Sequence, residues 1–353
     1  MKKNLQTLTA MTILLCGLTL NMYAYGTYEV DGIYYNTLTD SDGFTFAEVS
    51  YGENKYSGDI VIPSTVIIES KTLDVLWIGN DAFKNCHDLT SVTISNGVVN
   101  IQTGAFLNCS ALKNIIIPNS VKSIRSSAFN GCTSLTSITI PDSVIELEWY
   151  ALSKCTALKD VTLGNGITNI FPSLFEGCTS LVNVTIPNSI TSIGESAFEG
   201  CSYLNNISIP SSVKEIRKSA FEGCTNLDTL YVCSTTPPSL DKDSFTNDHY
   251  TSTIVYVPTG TLTAYQVADV WKEFMNIQEP DVLAVEKVKT DNLQYNITSN
   301  GIAFKVSKRN NVAIYTINGM LVNEIKNYTG EEITLDKGIY IISIGNQNIK
   351  IKL

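Results

Sequence analysis

The side chains with the most chemical potential in this 353-residue chain are nine cysteines, two histidines and a few groups of carboxylates. Cys86, Cys109, Cys132, Cys155, Cys178, Cys201 and Cys224 follow one another at intervals of 23 residues. In an exported protein this many cysteines would ordinarily signal disulfides. A disulfide framework, however, joins cysteines at varied spacings. A single spacing means one structural slot used seven times, and cysteine buries readily as a small hydrophobe. The spacing therefore predicts a stacked internal column of free thiols. Cys233 falls outside the period, and Cys16 lies in the N-terminal apolar stretch.

The remaining candidates point away from catalysis. His87 and His249 show no HExxH or paired spacing, and no CxxC is present, so zinc has no ligand set. Asp248 adjoins His249, but neighbours on an extended chain face opposite ways, which disfavours a triad. Nucleophile elbows, phosphate loops and dinucleotide fingerprints are missing from the sequence. Glu146 and Glu148 are near enough for paired-carboxylate chemistry, yet they sit in a repeat strand region rather than a pocket. The run Asp241–Asp248 places oxygen donors at alternate positions, as calcium loops do. Phe245 occupies a ligand position there, no glycine makes the sharp turn and no glutamate closes the site. The expectation is a non-enzymatic protein with no cofactor and no metal.

The elements that position these residues come from an internal repeat. Aligned on the cysteines, the unit reads P-x-S-V-x-x-I-x-x-x-A-F-x-x-C-x-x-L-x-x-I-x-I. A 23-residue period lies in the leucine-rich-repeat range and implies a solenoid, in which no coil buries its own apolar side and neighbours must stack. The L-x-x-I-x-I part alternates like a half-buried strand. The A-F-x-x-C part suits a single helical or 3₁₀ turn. Seven such coils span residues 78–232. Stacking turns equivalent positions into ladders. The outward strand column reads Thr93, Ile116, Thr139, Thr162, Thr185, Ser208 and Tyr231, flanked by a column with Asn183 and Asn206. This sheet of hydroxyls and amides is the candidate binding surface. The structural alternative is that threonine simply favours strands and keeps the sheet soluble. One coil breaks the pattern: Trp149 and Tyr150 stand where Ser126 and Ser127 stood one coil earlier, and Phe171 follows in the next. These aromatics join the candidate surface, with local repacking around Leu152 as the other explanation.

Residues 1–26 read as a signal peptide: Lys2 and Lys3, an apolar stretch too short for a membrane span, then Ala24-Tyr25-Gly26. A lipoprotein start at Cys16 is the alternative, though Leu14-Leu15 precede it. Residues 27–77 read as an N-terminal β cap, 233–280 as a C-terminal cap with a strand at Ile254-Val255-Tyr256-Val257 and a helix from Leu262 to Phe274, and 281–353 as a separate all-β sandwich-like unit. The net charge of −10, without basic runs, excludes nucleic acid as a partner.

The unit from Ile117 to Ile140, IPNSVKSIRSSAFNGCTSLTSITI, resembles the repeat of BspA-like bacterial leucine-rich-repeat surface proteins. The resemblance covers residues 78–232 and extends to both caps. It implies a surface-exposed binding or adhesion protein, a monomer whose partners are proteins or glycans of host or neighbouring bacterial surfaces. A structural scaffold of the cell envelope with no host ligand is the alternative. The segments Val312–Val322, Leu335–Ile342 and Lys350–Leu353 resemble the C-terminal sorting domain of type IX secretion, which implies outer-membrane passage and a place at the cell surface or outside the cell.

Overall fold

The computed structural model describes residues 23–52, 55–279, 294–297, 301–305, 310–316, 321–335, 339–344 and 347–352. Most of the proposed signal segment lies outside them. The first strand, Tyr23–Val30, starts within its last residues and pairs antiparallel with Ile33–Thr39.

Each coil contributes to three hydrogen-bonded ladders. The first is the predicted strand. Its parallel runs are Gly58–Ile62, Leu89–Ile94 and Asn114–Ile116, then Ser137–Ile140, Asp160–Leu163 and Asn183–Thr185, then Asn206–Ile209, Thr229–Val232, Ile254–Tyr256 and Asn276–Gln278. Pairing is in register at the period, as in Thr139 opposite Thr162 opposite Thr185. The second ladder comes from the V-x-x-I part, which forms two-residue strands such as Ser123–Ile124 and Glu146–Leu147. The third comes from A-F-x-x-C.

The turn expected at A-F-x-x-C takes an unforeseen form. Alternate amides close local turns, as from Cys86 N–H to Phe83 C=O, while the others donate to the next coil, as from Phe83 N–H to Ala105 C=O at 2.7 Å. Facing alternate amides in opposite directions requires left-handed backbone. Asp81, Gly104, Ser127, Tyr150, Ser173, Ser196 and Ser219 form one positive-φ column. Asn85, Asn108, Gly131, Lys154, Gly177, Gly200 and Gly223 form a second. A non-glycine residue in this region costs about 1–2 kcal/mol, so the inter-coil hydrogen bonds and the packing beneath must offset it.

That packing is an aromatic spine. Phe83, Phe106 and Phe129 stack with ring centroids 4.9 and 5.3 Å apart, and Phe175, Phe198, Phe221 and Phe245 continue at 5.2, 5.3 and 5.0 Å. Such contacts add about 0.5–1.5 kcal/mol each beyond the area they bury. The spine is interrupted at Leu152. The next coil carries Leu174 where the others carry alanine, and both leucines are fully buried, so volume lost at one is regained at the other.

Both ends are covered by irregular versions of the coil. Tyr56 lies over Phe83 at 4.4 Å and donates from its hydroxyl to Ser50 C=O. The first ladder reaches back to Gly58–Ile62 because the hairpin of Thr65–Ile68 with Lys71–Ile78 is inserted between Ile60 and its partner Val92. At the other end Phe274 meets Phe245 edge-on at 5.3 Å. The helix expected from Leu262 to Phe274 is shorter: Leu262–Val267 is α-helical and Trp271–Glu273 is a 3₁₀ turn. Between them Val270, at φ 65° and ψ −43°, is the centre of a γ-turn closed by Trp271 N–H to Asp269 C=O. The turn seats Trp271, whose indole N–H donates to Pro238 C=O at 2.7 Å.

The described residues from 294 onward form two antiparallel sheets, of three and four strands. Ile302, Phe304 and Ile333 from one share a core with Val312, Ile314, Ile342 and Ile344 from the other.

Candidate functional site

All seven period-23 cysteines are buried free thiols. From Cys109 onward each donates its S–H to a carbonyl of the preceding coil, from Cys109 to Phe83 at 2.9 Å through to Cys224 to Phe198 at 3.1 Å. Burial pushes the thiols of Cys109, Cys155 and Cys224 up to about 12 and raises Cys132, Cys178 and Cys201 well above the ordinary value. Since the thiolate is the reactive form, the column is chemically quiet. It fills space and satisfies backbone acceptors.

The other reactive groups also serve structure. His249 is buried, accepting at Nδ1 from Thr246 N–H at 3.1 Å and engaging Cys224 C=O through Nε2 at 2.8 Å. His87 Nδ1 meets Ser110 Oγ at 3.1 Å on the surface. In the Asp241–Asp248 run Ser244 is buried against Ile216 and Arg217 carbonyls, Phe245 joins the spine and Thr246 caps the helix Asn247–Ser252. Among the described residues no group of three or more His, Cys, Asp or Glu side chains is arranged to hold a metal ion. Glu146 and Glu148 share the Arg125 guanidinium, and Glu148 also accepts from Ser126 N–H and Oγ–H, both at 2.9 Å. Two carboxylates fixed by one arginine are poorly disposed for acid–base work.

The predicted binding residues fall on two separate surfaces. Thr93, Thr139, Thr162 and Thr185 are exposed on the first ladder, with Asn183 and Asn206 exposed beside them. Asn183 donates to Asp160 at 2.7 Å. Ile116 and Tyr231 belong to the column read from the sequence, whereas its extension to Val61 and Tyr256 was missed. Val61 and Ile116 flank Thr93 at one end, 62% and 60% exposed, and at the other Tyr231 and Tyr256 stack at 5.3 Å. Asp59 accepts from the Thr90 and Ser91 hydroxyls, which hold its carboxyl below its ordinary value.

Trp149, Tyr150 and Phe171 lie instead where the second ladder passes into the turn ladder. Trp149 and Tyr150 are exposed, and Phe171 is half-buried. Here the second ladder is interrupted: one run ends at Glu146–Leu147 and the next begins at Asn169–Ile170. The Arg125 network adjoining Trp149 was not anticipated, although Arg125 and Glu148 occupy the same slot of consecutive coils.

Among the described residues no helix is long and apolar enough to cross a membrane. No curated protein matches the chain. Among solved structures, a leucine-rich cell surface protein of Faecalibacterium prausnitzii is similar at 21% identity, over 73% of this chain and 95% of its own, with a TM-score of 0.46. A leucine-rich repeat protein of Bacteroides ovatus is 25% identical over 71% and 76%, with a TM-score of 0.41. The leucine-rich repeat protein of T. pallidum is 26% identical over 67% and 90%, at 0.40. The model of the BspA type leucine rich repeat region matches residues 76–190 and 168–265, together more than half of the chain. With coils, thiol column and spine all built on that repeat, the protein belongs to the BspA type leucine-rich-repeat family.

Proposed function

We propose that this is an exported, surface-exposed binding or adhesion protein that recognises proteins or glycans of host or neighbouring bacterial surfaces through its first ladder. The observation carrying this reading is the graded outward column from Val61 through Thr93, Ile116, Thr139, Thr162 and Thr185 to Tyr231 and Tyr256. A strip with apolar and aromatic ends and a hydroxyl centre, carried by three successive parallel sheets, matches an extended polymer, giving many weak contacts in series. Residues 1–26 supply export, and residues 281–353 direct the protein to the surface.

The test is binding of the mature chain to arrayed matrix proteins and glycans, beside a Thr139→Lys/Thr162→Lys/Thr185→Lys variant. Saturable binding to either class, weakened at least tenfold in the variant, is expected. No saturable binding, with retention in outer-membrane fractions, would favour an envelope scaffold instead.

A further inference from the structure

The repeat is its own control for the aromatic coil. Seven coils use nearly the same backbone, so a residue that departs from its column must be explained by packing or by something outside the chain. Tyr150 is held at φ 59° in a column otherwise made of Ser, Asp and Gly, and its side chain is 42% exposed. Trp149, beside it, is 52% exposed, whereas Trp271 is fully buried. Neither aromatic is needed to repair the core beneath, since Leu174 replaces the volume missing at Leu152. Two large rings are therefore exposed, one of them at a backbone conformation unfavourable for any side chain. The backbone cost is common to the whole column and is met by inter-coil hydrogen bonds, so what sets this coil apart is the exposure of both rings, which marks a functional surface.

The surroundings define the ligand. The second ladder opens at this point, between Glu146–Leu147 and Asn169–Ile170, and nowhere else among its described strands. Phe171 and Pro172 form the far side of the seam, pressed against Gly194, where an added Cβ would lie 2.7 Å from Pro172 N. Arg125, Glu146 and Glu148 form the near side. Arg125 Nη2 meets Glu146 Oε2 at 3.1 Å and its Nη1 engages Glu148, so planar donors and acceptors are held in place up to the residue that precedes Trp149. Arg125 offsets one of the two carboxylate charges, and the cluster stays negative on a chain that carries −10, which disfavours anionic ligands. An amphipathic ring face next to fixed, partly neutralised hydrogen-bonding groups suits a molecule with apolar C–H faces and hydroxyl edges.

We infer that Trp149 and Tyr150, with the Arg125–Glu146–Glu148 network, form a binding site for neutral saccharides, separate from the first-ladder face. This rests on the reading of the chain as a surface binding protein and adds a second site to it.

The test is affinity electrophoresis of the full chain in gels containing mixed-linkage β-glucan, xylan or galactomannan, with dextran sulfate as the anionic comparison. A Trp149→Ser/Tyr150→Ser variant restores the residues of the preceding coil, and its thermal unfolding should match or exceed that of the parent. Retardation by at least one neutral polymer is expected, reduced at least tenfold in the double variant and kept in the Thr139→Lys/Thr162→Lys/Thr185→Lys variant. Acrylamide quenching of tryptophan should fall when that polymer is added. No retardation by any neutral polymer, retardation by dextran sulfate alone, or equal retardation of the double variant would overturn the site. Loss only in the threonine variant would also overturn it while leaving the first-ladder proposal standing. Failure of the matrix and glycan arrays as well would remove both.

Discussion

Raising the pH through the alkaline range should unfold the solenoid abruptly, because its core contains a column of thiols that cannot ionise in place. The ordinary thiol value is 9.0, and burial brings Cys155 to about 12. The group is raised on folding, so its stabilising effect is complete below about 9 and is lost as pH climbs towards 12. Within that window the unfolded chain has released protons that the folded chain retains. Each pH unit then removes about 1.4 kcal/mol per thiol. Cys109, Cys155 and Cys224, all near 12, together give roughly 4 kcal/mol per pH unit. With Cys132, Cys178 and Cys201, raised well above the ordinary value, the slope approaches ~8 kcal/mol per unit. Domain stabilities of about 5–15 kcal/mol are exhausted within about one to two units above 9. Urea unfolding followed by far-ultraviolet circular dichroism, with reductant present, from pH ~7 to ~10.5 measures this directly. A Cys155→Ala/Cys178→Ala variant should be less stable at neutral pH by about 1 kcal/mol per site, and its alkaline slope should be shallower by about 3 kcal/mol per unit. Equal stability at pH 8 and 10 would refute the reasoning. So would an unchanged slope in the variant, which would assign the effect to tyrosines and lysines.

Three further expectations follow from the coil. A mild alkylating reagent should leave the period-23 thiols unlabelled in the native protein and label them after denaturation without reductant; labelling that needs reduction would reveal disulfides. Lys154→Gly should raise the urea midpoint, stabilising by about 1 kcal/mol through relief of its left-handed backbone, whereas Gly131→Ala should lower it, since its added Cβ would lie 2.4 Å from Asn108 Oδ1 at φ 73°. Phe198→Ala should cost about 3–5 kcal/mol, because its ring stacks between Phe175 and Phe221; a loss under 1 kcal/mol in denaturant titration would show the spine to be readily repacked.

The period alone made the coil legible. Residues that repeat every 23 positions for packing reasons, such as Cys132, Phe129 and Leu135, announce burial through their spacing, and all are fully buried. What packs without repeating was harder to read. Ile60 continues the first ladder, but a hairpin separates it from Val92. At the other end the strand at Ile254–Tyr256 was legible, but its pairing onto the first ladder and the further strand Asn276–Gln278 were hidden by irregular intervals. The left-handed columns were also concealed, because serine fills one of them at Ser127, Ser173, Ser196 and Ser219, and serine is no signal of positive φ. Val270 gave no warning of its γ-turn, since a β-branched residue is the least expected there. Within the candidate surface, the threonine column followed from alternation. The separate position of Trp149 depended on the seam between its own coil and the next, which the departures at Trp149, Leu152, Phe171 and Leu174 mark as irregular without showing that the second ladder breaks there.

The measurement that tests the account most directly is saturable binding of the mature chain to arrayed matrix proteins and glycans, in parallel with the variant carrying lysines at Thr139, Thr162 and Thr185. Saturable binding that the three lysines weaken at least tenfold, with thermal unfolding unchanged, is the result predicted. Absence of binding to either class, or binding indifferent to those substitutions, would contradict recognition through the first ladder.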